Sequence, residues 1–355
     1  MGLKILHSAD WHLDSPFLSF REDQRAALKR AQQLIPQKIA EIARREDCGL
    51  VLLAGDLFDG AWNRDTLDRA RQALKDCGCP VMIAPGNHDP WGPDSPWQES
   101  WPDNVHIFRP GISSVYLKDL DTRVYGSGFS GMDCESILSG FHAEKMETYQ
   151  IGVFHGDPTN GNSPYNPVTT AEIRQSGLTY LALGHVHSAG GLEVENTVCS
   201  WSGCPMGRGW DETGSKGCLL AEIEEQVRVR TIPMDLPEFY RETVDVEGRE
   251  VPDLDGVLPP AGCRNFYRIT LEGYGKPDLT AIRQKYQNFL NLELLDQTVD
   301  PQSLWTGMEE DSLRGAYLKR LKEAADQADP ELQHKILLAA EISQKLLEGR
   351  EVQLP

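Results

Sequence analysis

This sequence of 355 residues has no long apolar run and few closely spaced cysteines, and its positively charged residues are fewer than its negatively charged ones. No apolar run approaches the roughly 20 residues that a membrane-spanning helix needs, so we expect no contact with a membrane. The first residues carry a single lysine and a short apolar segment that Asp10 interrupts, which is too short and too polar for a secretory signal. These absences disfavour a membrane protein and a secreted protein.

The eight cysteines are scattered along the chain. The nearest two, Cys77 and Cys79, match neither a zinc-finger spacing nor the C-x-x-C spacing of redox proteins. Reduced, mostly structural cysteines are typical of reducing compartments, and we therefore expect a cytoplasmic protein.

Positive charge is outnumbered, with 35 lysines and arginines against 54 aspartates and glutamates and a net charge of −19. This balance disfavours a nucleic-acid binder, because neutralisation of phosphates usually supplies the affinity. The argument is partial, since metal ions held by some of these carboxylates would themselves attract phosphate.

Hydrophobic residues make up 40% of the chain and charged residues 25%, which is typical of a globular protein with a large core. Apolar runs at residues 3–8, 50–54 and 81–84 predict strands, and the apolar spacing at 22–45 and 64–77 predicts helices between them. This β-α-β-α-β order indicates a largely parallel sheet with right-handed crossovers.

A strand–turn–strand pattern over residues 191–232 leads us to expect a second sheet packed on the first. The predicted fold class is α/β, with a two-sheet sandwich flanked by helices at residues 1–235. A small α/β cap is predicted at 238–300. Helical spacing on either side of Pro330 predicts a C-terminal helical hairpin within residues 302–350.

Five short segments place metal-binding side chains at the end of an apolar run. They are Asp10-Trp11-His12, Gly55-Asp56-Leu57-Phe58-Asp59, Gly86-Asn87-His88-Asp89, His155-Gly156-Asp157 and Gly184-His185-Val186-His187. Because the carboxyl ends of parallel strands meet at one edge of a sheet, we expect these side chains to converge there. Carboxylate, amide and imidazole groups together are the composition of a site for two divalent metals.

Each segment alone has an ordinary structural explanation, such as a helix cap at Asp10. The carboxylate of Asp56, however, follows a strand with a near-continuous apolar sequence, and its burial without a partner would cost several kcal/mol. Asn87 offers a neutral oxygen to a cation, and His185 and His187 lie two residues apart on the same side of an extended segment. All five segments together indicate a metal centre.

In their order, these segments resemble the calcineurin-like metallophosphoesterases, whose motifs run D-x-H, G-D, G-N-H-(D/E), H and G-H-x-H. More closely, the chain resembles the DNA-repair exonucleases of the SbcD type, and particularly their YhaO-like branch. This closer resemblance rests on residues 5–13, 180–187 and 207–217, within a match that covers about residues 3–232. The rest of the chain resembles the group only in its layout.

The resemblance implies a metallophosphoesterase sandwich with two divalent ions, most often Mn²⁺, bridged by Asp56. The implied ligands are Asp10, His12, Asp56 and His187 for the first ion, and Asp56, Asn87, His155 and His185 for the second. A hydroxide between the ions would attack the phosphodiester. His88 would lie near the leaving oxygen as an acid, and Asp59 would orient His88 and keep it protonated.

By the same resemblance, the chain would be a DNA exonuclease or endonuclease in repair. Its C-terminal helices would dock an SMC-like ATPase of the SbcC or YhaN kind, which in such assemblies can supply much of the DNA-binding surface. A homodimer is a further expectation. Arg208 and Lys216 are candidate contacts to the phosphates of the substrate.

Two other interpretations stay open. A small-molecule phosphodiesterase or phosphatase of the same superfamily is favoured by the net charge of −19. A non-catalytic scaffold within an ATPase complex is disfavoured, because a scaffold has no physical need for two metals with His88 beside them.

Overall fold

The computed structural model describes residues 2–144, 146–259 and 264–349. The chain divides into two units, of which the first ends at Phe239 and the second begins at Tyr240. The strands of the first unit are β1 (Leu3–Ser8), β2 (Leu50–Leu53), β3 (Val81–Ile83), β4 (Val105–Ile107), β5 (Ser113–Leu117), β6 (Thr122–Ser127), β7 (Tyr149–His155), β8 (Tyr180–Gly184), β9 (Gly190–Val194), β10 (Thr197–Trp201), β11 (Gly217–Ile223) and β12 (Val227–Pro233). Its helices are α1 (Glu22–Gln32), α2 (Ile35–Arg45), α3 (Arg64–Lys75) and α4 (Thr170–Ser176).

The first sheet has the strand order β12-β11-β1-β2-β3-β4. Strands β1 to β4 are parallel, as the helices between β1 and β2 and between β2 and β3 predict for the first three. Strand β11 pairs antiparallel with β1 and places Ile223 opposite Leu3. Strand β2 lies inside the sheet and is buried along its whole length, which accounts for its unbroken apolar sequence.

The second sheet has the order β5-β6-β7-β8-β10-β9, with parallel inner strands and antiparallel edge strands. Ile5 and Leu52 of the first sheet share one apolar core with Val153 and Ala182 of the second, so the two sheets pack face to face. The predicted α/β two-sheet sandwich is therefore confirmed.

The assignment of the strands between residues 191 and 232 to the second sheet is wrong for the last two of them. Strands β9 and β10 do extend the second sheet, but β11 and β12 join the first sheet beside β1. Without β11, the N–H and C=O groups along that edge of β1 would lack partners, and β11 pairs with β1 from Leu3 to His7. A local strand pattern carries no information about which edge the strand will join.

The predicted helix at residues 22–45 is two helices in the structure. α1 ends at Gln32 and α2 begins at Ile35. Pro36 lies in the first turn of α2, where it has no N–H to donate and where its ring would clash with the carbonyl of residue 32 in a continuous helix. The proline therefore divides a segment whose apolar spacing alone indicated one helix.

His7 connects the two sheets through the core. Its Nε2 donates to the carbonyl of Leu183 over 3.0 Å, so its Nδ1 carries no proton and accepts from the hydroxyl of Tyr180 over 2.9 Å. Burial lowers the pKa of His7 to about 4, against the opposing effect of the hydrogen bond to Leu183. The histidine is therefore neutral in the folded chain at pH values where an exposed histidine is charged.

This difference predicts a stability that depends on pH. Because the folded pKa lies below the unfolded value, the stabilisation is complete above about pH 6.5 and is lost as the pH falls toward 4. We expect the loss of unfolding free energy between about pH 7.5 and about pH 5 to be about 2 kcal/mol smaller in His7→Gln than in the wild type. Urea unfolding of the metal-free chain at both pH values measures this, with the exposed His142→Gln as control. Equal losses in His7→Gln and the wild type would contradict the prediction.

The second unit is a small sheet with helices. Its elements are β13 (Phe239–Asp245), whose first residue is the last of the first unit, β14 (Phe266–Glu272), α5 (Leu279–Lys285), β15 (Leu292–Asp296), α6 (Leu313–Gln327) and α7 (Pro330–Leu347). The strands lie in the order β13-β14-β15, and Ile282 of α5 packs into their core. α6 and α7 contact each other through Tyr317 and Ser343, whose hydroxyls lie 2.8 Å apart. No helix among the described residues is long and apolar enough to span a membrane.

The predicted division into parts 1–235, 238–300 and 302–350 stays a prediction. In the structure, the small sheet and the two C-terminal helices belong to one unit. Residues 260–263 of the predicted cap and residue 350 of the predicted hairpin lie outside the described residues.

Candidate metal centre

The five predicted segments follow the carboxyl ends of β1, β2, β3, β7 and β8. Hydrogen bonds join these segments where the strands end. The amide of Asp10 donates to the carbonyl of Gly55 over 3.0 Å, and Nδ1 of His155 in the second sheet donates to the carbonyl of Ala54 in the first over 2.9 Å. The segments of both sheets therefore meet at one edge of the sandwich.

The backbone turns sharply at this edge. Asp56 has a φ of 53° and His185 a φ of 87°, in the left-handed region that stores strain of order 1–3 kcal/mol in residues other than glycine. Two glycines allow close approach, because a Cβ at Gly86 would lie 2.2 Å from Oδ1 of Asp56 and a Cβ at Gly55 would lie 2.5 Å from Nδ1 of His155. The strained turns and the glycines bring the polar side chains into one small volume.

One group consists of Asp10, His12 and His187. Nδ1 of His12 lies 3.2 Å from a carboxylate oxygen of Asp59, and Nδ1 of His187 lies 2.6 Å from a carboxylate oxygen of Glu212. Since carboxylates only accept, both Nδ1 atoms carry the proton, and the two Nε2 atoms face each other across 3.2 Å. Only a positive species, a shared proton or a metal cation, can bridge two such lone pairs.

A buried oxygen of Asp10 adds to this surplus of acceptors. Oδ1 of Asp10 accepts from the amide of His185 over 2.9 Å. Oδ2 is buried and has no hydrogen-bond partner among the described residues. A buried carboxylate oxygen without a partner is costly, and a cation at this position would satisfy it.

A second group consists of Asp10, Asp56 and His155. In the neutral ring of His155, Nδ1 donates to Ala54 and Nε2 carries a lone pair. That atom lies 2.9 Å from Oδ1 of Asn87 and 3.4 Å from Oδ2 of Asp56, which are also acceptors. Acceptors therefore converge a second time, and the donor set fits a second divalent cation.

Asp56 lies between the two groups. Its Oδ2 is 3.8 Å from Nε2 of His12 and 3.4 Å from Nε2 of His155. Its Oδ1 accepts from the amide of His88 over 2.9 Å, which fixes the carboxylate. A carboxylate at this position would be within reach of a cation in either group.

His185 lies at the margin of the second group. Its ring packs at 5.2 Å from the ring of His155 and at 4.8 Å from the ring of Tyr165, measured between centroids. The structure brings the ligand atoms of five predicted ligands close together: Asp10, His12, Asp56, His155 and His187. Asn87 contacts this set through Nε2 of His155. The ring of His185 contacts it by packing against that of His155.

His88 lies beside the first group with its side chain 40% exposed. Its Nδ1 is 3.0 Å from Oδ1 of Asp59, and this hydrogen bond raises the pKa of His88 against the effect of burial. The same oxygen of Asp59 also accepts from His12, and Ser15 donates to the other oxygen over 2.8 Å. The sequence associated Asp59 with His88, whereas the structure has Asp59 holding His12 as well.

Arg208 and Lys216 occupy different surroundings. The guanidinium of Arg208 lies 3.1 Å from Glu212 and 3.8 Å from Asp59, so it neutralises two carboxylates behind the histidines. Lys216 directly precedes β11, where its carbonyl accepts from the amide of Met234. Contact of either side chain with substrate phosphate stays a prediction.

Glu212 is the residue that sequence reasoning missed. Its side chain is 8% exposed, and burial would raise its pKa, but the hydrogen bond from His187 and the charge of Arg208 hold the pKa well below its usual range. The available signal was its place in residues 207–217, the stretch already noted for its resemblance to the SbcD group. A lone glutamate in an irregular segment gave no reason to link it to a histidine 25 positions earlier.

Comparison with known proteins identifies the family of this chain. The sequence profile of the family described as calcineurin-like phosphoesterase matches residues 3–189. The uncharacterized metallophosphoesterase YhaO of Bacillus subtilis is 32% identical over 237 residues, which are 62% of this chain and 57% of YhaO. This chain therefore spans less than two thirds of that relative.

The SbcD component of the nuclease SbcCD from Staphylococcus saprophyticus is 30% identical over 339 residues, which are 84% of this chain and 86% of that protein. Among solved structures, a dimetal phosphatase from Danio rerio is similar with a TM-score of 0.41 and 13% identity, over 64% of this chain and 98% of that one. Because the family profile matches more than half of its length, this chain belongs to the calcineurin-like phosphoesterase family of metal-dependent hydrolases.

Proposed function

We propose that this chain is a two-metal phosphodiesterase that cleaves DNA. One observation carries the hydrolytic part: Nε2 of His12 and Nε2 of His187 face each other across 3.2 Å, beside Oδ2 of Asp10, which has no hydrogen-bond partner in the part of the chain that the structure describes. A divalent cation relieves the repulsion among these acceptors, and the family uses two such cations.

The residues proposed to hold the ions are Asp10, His12, Asp56 and His187 for one, and Asp56, Asn87, His155 and His185 for the other. Carboxylate and amide oxygens mixed with imidazole nitrogens suit a cation such as Mn²⁺, which is the proposed metal. Bound there, the ions would lower the pKa of a water molecule and neutralise negative charge on the phosphoryl oxygens.

His88 is proposed to protonate the leaving oxygen. Its Nδ1 is engaged by Asp59, so Nε2 is the nitrogen left to donate a proton to the substrate. The half-exposed ring can reach a substrate from solvent, while the negative charge of Asp59 favours the protonated, donating form. Asp59 thereby orients the acid and, through His12, one of the proposed metal ligands.

DNA as the substrate is supported by the relatives. The match to the SbcD component of the nuclease SbcCD spans 84% of this chain and so includes residues beyond the family profile. We propose a role in DNA repair, in the cytoplasm, with α6 and α7 docking an SMC-like ATPase of the SbcC or YhaN type. A homodimer is also proposed. An ATPase that supplies the basic DNA-binding surface would reconcile the substrate with the net charge of −19.

A small-molecule phosphodiesterase or phosphatase is the second candidate. The observation that favours it is the net charge of −19, because an acidic surface repels the phosphate backbone of a polymer more than it repels one small ester. Both candidates use the same metal centre and differ in the substrate that reaches it.

The test is a Mn²⁺-dependent assay on end-labelled single-stranded and double-stranded DNA. We expect the wild type to shorten or cut the DNA when Mn²⁺ is present, and EDTA to stop the reaction. The matched controls are His88→Ala, which should cut DNA at a strongly reduced rate, and His142→Ala, an exposed histidine whose Nδ1 bonds the carbonyl of Gln175 and which should be fully active. A wild type inert on all DNA yet active on a nucleotide ester would replace the nuclease proposal with the small-molecule one.

A further inference from the structure

We propose that Glu212 is a positioning residue that holds the ring of His187 and makes the Asp10–His12–His187 group the tighter of the two metal sites. This inference rests on the proposed two-metal centre and does not depend on DNA as the substrate. It assigns to Glu212 a role that acts through His187 and not through contact with substrate.

Both carboxylate oxygens of Glu212 are occupied. Oε1 accepts from Nδ1 of His187 over 2.6 Å and from the guanidinium of Arg208 over 3.1 Å. Oε2 accepts from the amide of Arg208 over 2.7 Å, and the thiol of Cys204 lies 3.7 Å away. With so many contacts and 8% exposure, the carboxylate has one available orientation, and so has the ring that it holds.

The Arg208 guanidinium explains how the buried Glu212 and the partly buried Asp59 can both stay charged near the histidines. It lies between Glu212 and Asp59, at 3.1 Å and 3.8 Å. Its Nη2 is also 3.2 Å from Nδ1 of His187, since both nitrogens donate to the same oxygen of Glu212. The positive charge offsets the repulsion between the carboxylates, so that Glu212 can hold His187 while Asp59 holds His12 and His88.

The two metal groups differ in what holds their histidines. In the first, His187 is held by Glu212 and His12 by Asp59, and both partners are carboxylates. In the second, His155 is held by the neutral carbonyl of Ala54. A carboxylate that accepts a hydrogen bond from one nitrogen of an imidazole makes the other nitrogen a stronger metal ligand. Removal of such a carboxylate typically weakens metal binding by roughly 10- to 100-fold. The first group is therefore expected to bind its ion more tightly.

The test is a calorimetric titration of the metal-free chain with Mn²⁺. We expect two sites of unequal affinity in the wild type. In Glu212→Gln, which keeps the shape and removes the charge, the tighter site should weaken by roughly 10- to 100-fold and approach the other. The matched control is Glu147→Gln, since Glu147 is 6% exposed and pairs with Arg123 in the second sheet; its binding curve should equal that of the wild type.

Electron paramagnetic resonance at one equivalent of Mn²⁺ gives an independent signature. The wild type should contain mainly isolated ions, because one site fills first, whereas Glu212→Gln should contain more spin-coupled pairs. Wild-type affinities and an unchanged spectrum in Glu212→Gln would overturn the proposal, as would equal affinities of the two sites in the wild type.

Glu212→Asp keeps the negative charge but shortens the side chain by one methylene group. This variant tests the proposal if Glu212→Gln does not fold without metal. The shorter side chain cannot hold His187 and the amide of Arg208 together, and the tighter site should again weaken. Wild-type binding by Glu212→Asp would overturn the proposal. A wild type that binds two unequal Mn²⁺ ions but leaves DNA intact would contradict the proposed nuclease function and leave this inference standing.

Discussion

Asp56→Asn is expected to abolish hydrolysis and to prevent the chain from holding two Mn²⁺ ions at once. Oδ2 of Asp56 lies 3.8 Å from Nε2 of His12 and 3.4 Å from Nε2 of His155, so its charge serves both groups. Loss of a ligand should cost more than the roughly 10- to 100-fold that loss of an outer partner costs in metal affinity. Calorimetric titration with Mn²⁺, together with hydrolysis of a phosphodiester, measures both effects.

The variant retains the local backbone, since an asparagine oxygen can still accept from the amide of His88. The control is Asp278→Asn, where the carboxylate likewise accepts backbone amides, at the start of α5 in the second unit. The control should bind two ions and react at the wild-type rate. Two ions bound with wild-type affinity in Asp56→Asn would refute the bridging role.

His88→Ala is expected to lower hydrolysis by about 10²- to 10⁴-fold while Mn²⁺ binding stays at the wild-type level. The reason is that His88 contributes its backbone amide, and not its ring, to the position of Asp56, and alanine keeps that amide. The ring itself contacts Asp59 and lies with His12 and Asp56 in a third group of possible ligands, and we propose that it serves the leaving oxygen. Steady-state rates and a Mn²⁺ titration on the same preparation separate chemistry from metal binding.

Asp59→Asn provides the contrast to His88→Ala. The resemblance implied only that Asp59 orients His88 and keeps it protonated, and the loss of that role alone would lower turnover with the metal content unchanged. Since one oxygen of Asp59 accepts from both His12 and His88, the structure changes that expectation, and both turnover and Mn²⁺ affinity should fall. Loss of metal in His88→Ala itself would refute the separation of roles and would make His88 a ligand.

The residues at the strand ends could be predicted from the sequence. The apolar run at residues 50–54 predicts a strand buried on both faces, and Asp56 follows shortly after it. This local pattern was enough to place a carboxylate at the edge of a sheet. The same reasoning applied to Asn87 after β3 and to His185 after β8. Residues adjacent in sequence to a strong strand signal can be predicted because the strand itself carries them to the edge.

Contacts between distant segments were not readable. Glu212 contacts His187 from an irregular segment, and Arg208 connects Glu212 to Asp59, about 150 positions earlier in the sequence. The periodicity of apolar residues carries no information about such contacts. The break between α1 and α2 was readable in principle from Pro36, but the apolar spacing outweighed it. The sheet to which β11 belongs depended on the open edge of β1, a property of the folded core.

The sequence by itself determined the family, the α/β sandwich and the set of polar residues that gather at one edge, because short motifs and strand periodicity are local properties. Only the tertiary structure decided which atoms face one another. The opposed Nε2 atoms of His12 and His187 and the charged row from Glu212 through Arg208 to Asp59 arise where separate segments pack. Burial makes those contacts strong, since hydrogen bonds and charges interact more strongly away from water, and burial exists only in the folded chain.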